Sequence, residues 1–210
     1  MIKALFLIFE SNGAWQRVAE AGRELFFIFL FYLLPMLLIL SAAEGYGLMH
    51  WGTAQVNSAL VKKLTANEMV VFETGQALLT LLIIAVSAYA IKSLGETFHS
   101  RHNYTQAFTV VIYGLSPLFL FQLLDAFPSI NVWLVWAVGI MLALKSLYHG
   151  VPIVMQTDPA HALGLYFMSS LVVVTLTGTE RFFTAWYLSG HFAPLADAVS
   201  AFAAHLPFGK

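Results

Sequence analysis

Apolar residues fall in five long runs along the chain, set apart by short polar breaks. The runs cover about Leu25–Ala43, Met69–Ile91, Tyr104–Leu124, Ile130–Tyr148 and Ala160–Gly178. About 20 mostly apolar residues cross a hydrocarbon core roughly 30 Å thick, because a helix rises about 1.5 Å per residue. Each run is therefore read as a membrane span, and the pattern predicts an all-α, polytopic transmembrane helical bundle of five spans. The breaks fit this reading. Asp125, Pro128 and Asn131 make a tight turn between the third and fourth spans. Asp158-Pro159 places a capping side chain and a first-turn proline ahead of the fifth.

The two ends carry a different pattern. The apolar run Ala4–Phe9 is broken by Glu10 with no small-residue cleavage site after it, unlike a signal peptide. From Asn12, Trp15, Val18, Ala19 and Gly22 share one helical face while Gln16, Arg17, Glu20 and Arg23 take the other. That is an amphipathic helix suited to the membrane interface. Beyond Gly178, Arg181 interrupts the apolar run, and Phe182, Phe183, Trp186 and Tyr187 form an aromatic group of headgroup-depth type. Leu195, Val199, Phe202 and Leu206 then recur at helical spacing. Gly190 and Pro194 shorten any continuous helix there, so a second interfacial helix is expected rather than a sixth span. The chain thus divides into an N-terminal interfacial segment (1–24), a five-span bundle (25–178) and an aromatic C-terminal segment (179–210).

Composition sharpens the class. Hydrophobic residues make up 60% and charged residues 10%, with a mean hydropathy of +0.79. Soluble domains carry roughly 45–50% apolar and about 25% charged residues, so lipid is the solvent. A net charge of -1 offers no concentrated basic face, which argues against nucleic acid as a partner. The absence of cysteine excludes disulfides, thiolate metal sites, iron–sulfur clusters and a cysteine nucleophile. A cytoplasmic N-terminus collects Lys3, Arg17, Arg23, Lys92, Arg101 and Lys145 inside and leaves Lys62, Lys63, Arg181 and Lys210 outside. Nearly all charges then sit in loops, at span ends or on interfacial helices. Asn103-Tyr104-Thr105 matches a glycosylation acceptor but falls on the cytoplasmic side in this orientation, and is read as chance.

Between lipid-embedded helices, close packing of small residues and interhelical hydrogen bonds replace the hydrophobic drive. Gly139, Ala143, Ser146 and Gly150 form a small-residue stripe on the fourth span that is expected to face a neighbouring helix. Glu73, Gln76, Thr80 and Ser87 share a face of the second span, and Gln106, Thr109, Tyr113 and Ser116 a face of the third. Unpartnered polar groups in hydrocarbon cost several kcal/mol, so both faces are expected to point inward, where they have the option of facing each other. They either line a polar path or small-molecule site, or satisfy one another and fix the packing. Glu73, about one turn inside its span, is the main ionisable candidate within hydrocarbon. Pro35 and Pro117 lie midway along the first and third spans and predict kinks. The first outer loop, Glu44 to Glu68, is long and contains Tyr46, His50 and Trp51, which favours packing on the membrane or a partner.

No motif of an enzyme is present: no HExxH, GxSxG, GxxxxGK or EF-hand loop. His99 and His102 are a close pair with only Glu96 near ligand spacing, which fits a solvated loop. No catalytic group, cofactor or metal is expected.

The stretch Tyr104-Thr105-Gln106-Ala107 leading to Tyr113-Gly114-Leu115-Ser116-Pro117 resembles the Yip1 family of five-span membrane proteins. So do Leu147-Tyr148-His149-Gly150, Asp158-Pro159-Ala160-His161-Ala162 and the lead-in Phe9-Glu10-Ser11-Asn12-Gly13-Ala14-Trp15. The resemblance covers most of residues 5 to 178. It implies a five-helix bundle, a cytoplasmic N-terminus and no enzymatic activity. Eukaryotic members are associated with vesicle traffic through small GTPases, a role that leans on a long cytosolic N-terminal region. Only about 24 residues precede the first span here, which argues against small-GTPase binding and for a compact bacterial type in the cytoplasmic membrane. The expected role is a scaffold or accessory subunit contacting the bilayer and other membrane proteins or copies of itself. The alternative is a transporter or channel component with a polar path between the second and third spans.

Overall fold

Caps written in the sequence start most of the helices. In the computed structural model, which describes residues 11–53, 63–100 and 103–204, the Asn103, Asn131 and Asp158 side chains accept from the N–H groups of Thr105 (3.1 Å), Trp133 (2.8 Å) and Ala160 (3.3 Å). Thr65 and Glu68 form a reciprocal capping box. Among the described residues there are helices and no strands. They are α1 (Ser11–Ala21), α2 (Leu25–His50), α3 (Ala66–Thr97), α4 (Tyr104–Ala126), α5 (Val132–Met155), α6 (Pro159–Leu188) and α7 (Ala193–Ala203). Helices α2 to α6 are long and apolar enough to cross a membrane.

Four spans run further than the hydropathy predicts: α3 covers Ala66–Thr97 and α5 reaches Met155, and α2 and α6 are longer for a common reason. α2 continues to His50, so Glu44, Tyr46 and His50 lie on a helix and not in a loop. α6 passes through Glu180 and Arg181 to Leu188, so Arg181 does not interrupt it and the aromatic group rides on its last turns. In both helices the charged side chain is buried against another helix, and a charge with a partner inside the bundle does not end a span. Of the outer loop, residues 54–62 lie outside the described residues, as does Leu206 of the C-terminal pattern.

Pro35 is accommodated by one widened turn. The backbone is π-helical over Phe29–Leu33 and returns to α-helix at Leu34. The proline ring forbids the bond to the carbonyl four residues back, and a π turn absorbs that mismatch. Pro117 sits inside α4 beside Ser116, whose hydroxyl donates to the Ile112 carbonyl (3.0 Å) and accepts from Tyr32 of α2 (2.6 Å).

α4 is the centre of the bundle. Every residue from Ala107 to Phe119 is buried, and 72% of its span is enclosed against 22% for α2. α5 packs most closely on it: a Cβ at Gly139 would lie 2.8 Å from Leu118 Cδ1, and Leu147 occupies the notch at Gly114. The small-residue stripe thus supports internal packing. α3 packs against α4 and α6, while Phe26, Phe31, Leu38, Leu82 and Leu171 stand exposed on the lipid side. The N-terminal helix α1 docks on α5 through Trp15, fully buried at 0% exposure with its ring against Gly150.

Candidate functional site

The buried ionisable groups gather at one end of the bundle, opposite the docked α1. Alternating spans place the C-terminal ends of α2, α4 and α6 and the N-terminal ends of α3 and α5 at that end. Glu44 lies about 9 Å along the axis from His50, Glu73 about 10 Å from Ala66, and Glu180 about 12 Å from Leu188, at about 1.5 Å per residue. Asp125 closes α4. The three glutamates are thus about two turns inside the ends of their helices, and Asp125 is in the last turn of its own.

Two glycines bring Glu44 into this company. A Cβ at Gly45 would lie 2.7 Å from Met69 Sδ and 3.5 Å from Glu73 Cγ; at Gly47 it would lie 2.7 Å from the Ala126 carbonyl oxygen and 2.9 Å from its Cα. α2 therefore approaches both α3 and the end of α4 with nothing but hydrogen between them, and the intervening helix faces carry the acids.

The partners form a chain across four helices. Arg181 Nη2 donates to Asp125 Oδ2 in an ion pair with 4% and 0% side-chain exposure. Gln76 Nε2 donates to Glu44 Oε2 at 2.8 Å, and the Thr80 hydroxyl donates to Glu180 Oε1 at 2.5 Å. Asp125, Arg181 and Glu180 all lie close enough to Glu44 to act on it electrostatically. Three carboxyl groups, those of Asp125, Glu44 and Glu180, thus share one guanidinium.

Glu73 is different. It is 5% exposed, and both of its carboxyl oxygens lack a hydrogen-bond partner. The Ser41 hydroxyl lies beside it without meeting hydrogen-bond geometry. Glu73 lines a cavity of about 20 Å³ between α2 and α3, together with Ser41, Glu44, Gln76 and Gln122. At the other end, Asn12, Gln16, Tyr148, His149 and Tyr166 border a wider groove of about 590 Å³ between α1, α5 and α6. Among the described residues no three His, Asp or Glu side chains converge as a metal-binding set.

The polar residues singled out on the second and third spans part company here. Gln76 and Thr80 reach to α2 and α6, whereas Ser116 bonds to Tyr32 of α2. Tyr113 packs its ring on Tyr32 (4.6 Å) and edge-on to Trp15 (6.5 Å). Thr109 folds back on the Thr105 carbonyl (2.6 Å), and the Gln106 side-chain oxygen is buried without a partner. The hydrogen bonds of the two stripes to other helices therefore do not run between α3 and α4. Gly139, Ala143 and Gly150 are buried on α5, Gly139 facing α4 and Gly150 facing α1. Pro117 is buried in α4.

The charged half of the site was missed in the sequence. Glu44, Asp125, Glu180 and Arg181 read as loop or span-end residues, yet each is enclosed within the bundle. A signal existed: once the spans alternate, Glu44, Glu73, Asp125 and the Glu180-Arg181 pair all fall at one level, three acids and an acid–base pair brought together at one end of the bundle.

Neither a curated protein nor a solved structure gives a significant match to the chain. A family model does: the Yip1 domain matches residues 5–179. That match runs from ahead of α1 through four membrane helices and into α6, stopping just short of Glu180 and Arg181, and the chain accordingly belongs to the Yip1 family of multi-span membrane proteins.

Proposed function

We propose that this protein is a non-catalytic scaffold or accessory subunit of a bacterial cytoplasmic-membrane assembly, with its N-terminus in the cytoplasm, acting through contacts between helices. Family members are generally non-catalytic membrane proteins. The observation that carries the reading is the division of labour at the far end of the bundle. Its polar groups turn inward and bond across helices. Its aromatic groups turn outward: Tyr46 stacks on His50, and Trp51, Phe182, Phe183 and Trp186 stand exposed. Such a collar sits at headgroup depth, where a partner helix or a second copy meets it. Purification in mild detergent with cross-linking at positions 51 and 186 is expected to capture a defined membrane partner or an oligomer. A clean monomer in several detergents would count against it.

A second reading, a transporter or channel component, draws support from the cavity at Glu73. The sequence points to a path between the second and third spans, whereas this cavity lies between the first and second. Solute flux into vesicles carrying the purified protein, abolished by Glu73→Gln, is the outcome that would favour transport over scaffolding.

A further inference from the structure

We propose that the cavity between α2 and α3 binds a single alkali-metal cation, held by side-chain oxygens of Glu44, Glu73 and Gln76. Four buried acceptor oxygens belong to these residues and have no hydrogen-bond partner: Glu44 Oε1, both carboxyl oxygens of Glu73, and Gln76 Oε1. The Gln76 amide is oriented by its own bond, since its nitrogen must face the Glu44 carboxylate and its oxygen then points away from it. No lysine, arginine or histidine lines the cavity. The nearby guanidinium of Arg181 is paired with Asp125, and the Thr80 hydroxyl is directed to Glu180. Buried polar atoms are almost always partnered, so four unpartnered acceptor oxygens on residues lining one small cavity, with no cationic side chain among its lining, call for an electropositive occupant.

The charge and size of that occupant follow from the site. Its donors are all oxygen, which selects hard cations over transition metals. A space of about 20 Å³ matches one water-sized body. Magnesium retains several waters and calcium takes six to eight oxygens, so both need more room or more ligands than this site offers. Two buried carboxyl groups lining one small cavity hold one proton between them, which leaves a single negative charge to match a singly charged cation, with the Gln76 oxygen and the Ser41 hydroxyl as neutral ligands. Glu44 and Glu73 lie about 9–10 Å inside the ends of α2 and α3, a depth that a cation reaches without crossing the middle of the bilayer.

The test uses the purified full chain in detergent at constant ionic strength, with sodium chloride replacing N-methylglucamine chloride. The melting temperature is expected to rise by several degrees with sodium and to saturate, as for a ligand that binds only the folded state. Radioactive sodium should bind at one equivalent per chain. In E73Q, which keeps the size of the side chain and removes its charge, half-saturation is expected to move at least tenfold higher, while Q16A in the opposite groove responds as the parent does. Potassium in place of sodium supports the proposal if it gives a saturable shift lost in E73Q. Equal melting in sodium, potassium and N-methylglucamine with no bound sodium would overturn it, since the acids would then be holding protons alone. A response unchanged in E73Q, or one produced only by calcium or magnesium, would overturn it too.

Discussion

Replacing Arg181 with methionine is the most informative perturbation of this bundle. The guanidinium is 4% exposed and is paired with a fully buried Asp125, and Glu44 feels both of them. Removing one partner of a buried ion pair leaves the other charge uncompensated and costs about 3–5 kcal/mol. At about 2–4 °C per kcal/mol for a chain of this size, the melting temperature is expected to fall by about 6–20 °C. Asp125→Leu breaks the same pair but leaves Arg181 close to Glu44 and Glu180, so its loss is expected to be smaller than that of Arg181→Met. The double variant restores much of the stability, because an apolar pair of similar volume is often neutral or better than a buried ion pair. Intrinsic tryptophan fluorescence during thermal unfolding in detergent gives all four corners of the cycle. The reasoning fails if either single variant stays within about 1 kcal/mol of the parent, or if the two losses simply add.

Three further substitutions probe other contacts. Gly47→Ala forces a methyl group onto the Ala126 backbone, where a Cβ would stand 2.7 Å from the carbonyl oxygen; overpacking of this kind costs about 1–3 kcal/mol, visible as a lower melting temperature. Gly150→Val occupies the notch that holds the Trp15 ring, so Trp15 is expected to become accessible to acrylamide quenching while the five spans stay folded. Thr65→Ala removes the capping box of α3, with a cost of about 1 kcal/mol and faster hydrogen exchange confined to the first turn from Ala66.

The spans were legible because lipid simplifies the code: a long apolar run with a cap in front of it has few other meanings. Asn131 and Asp158 were readable as punctuation and do cap α5 and α6. Helix ends were less legible where a charge is buried. Glu44 and Arg181 look like the borders of hydrocarbon when each is considered alone, and only the packing of α2 on α4 and of α6 beside Asp125 shows that they lie inside. The same limit applies to the stripes. Helical periodicity places Gln76 beside Thr80, and Tyr113 beside Ser116, but it carries no information on which neighbour each face meets. That depends on the close approach at Gly45 and Gly47, a three-dimensional fact about residues without side chains.

The seat of Trp15 also sets an order of assembly. Its pocket is made by Gly150 at the end of α5 and by Tyr113 of α4, neither of which exists when α1 leaves the ribosome. The N-terminal helix must therefore wait, its indole exposed, until the fourth span has been inserted beside the third. Closure of that wedge is a late step of biogenesis that reports on the completeness of the bundle. A chain whose fourth span is missing or misplaced would display an unburied tryptophan helix at its N-terminus, the kind of apolar surface that membrane quality-control proteases act on.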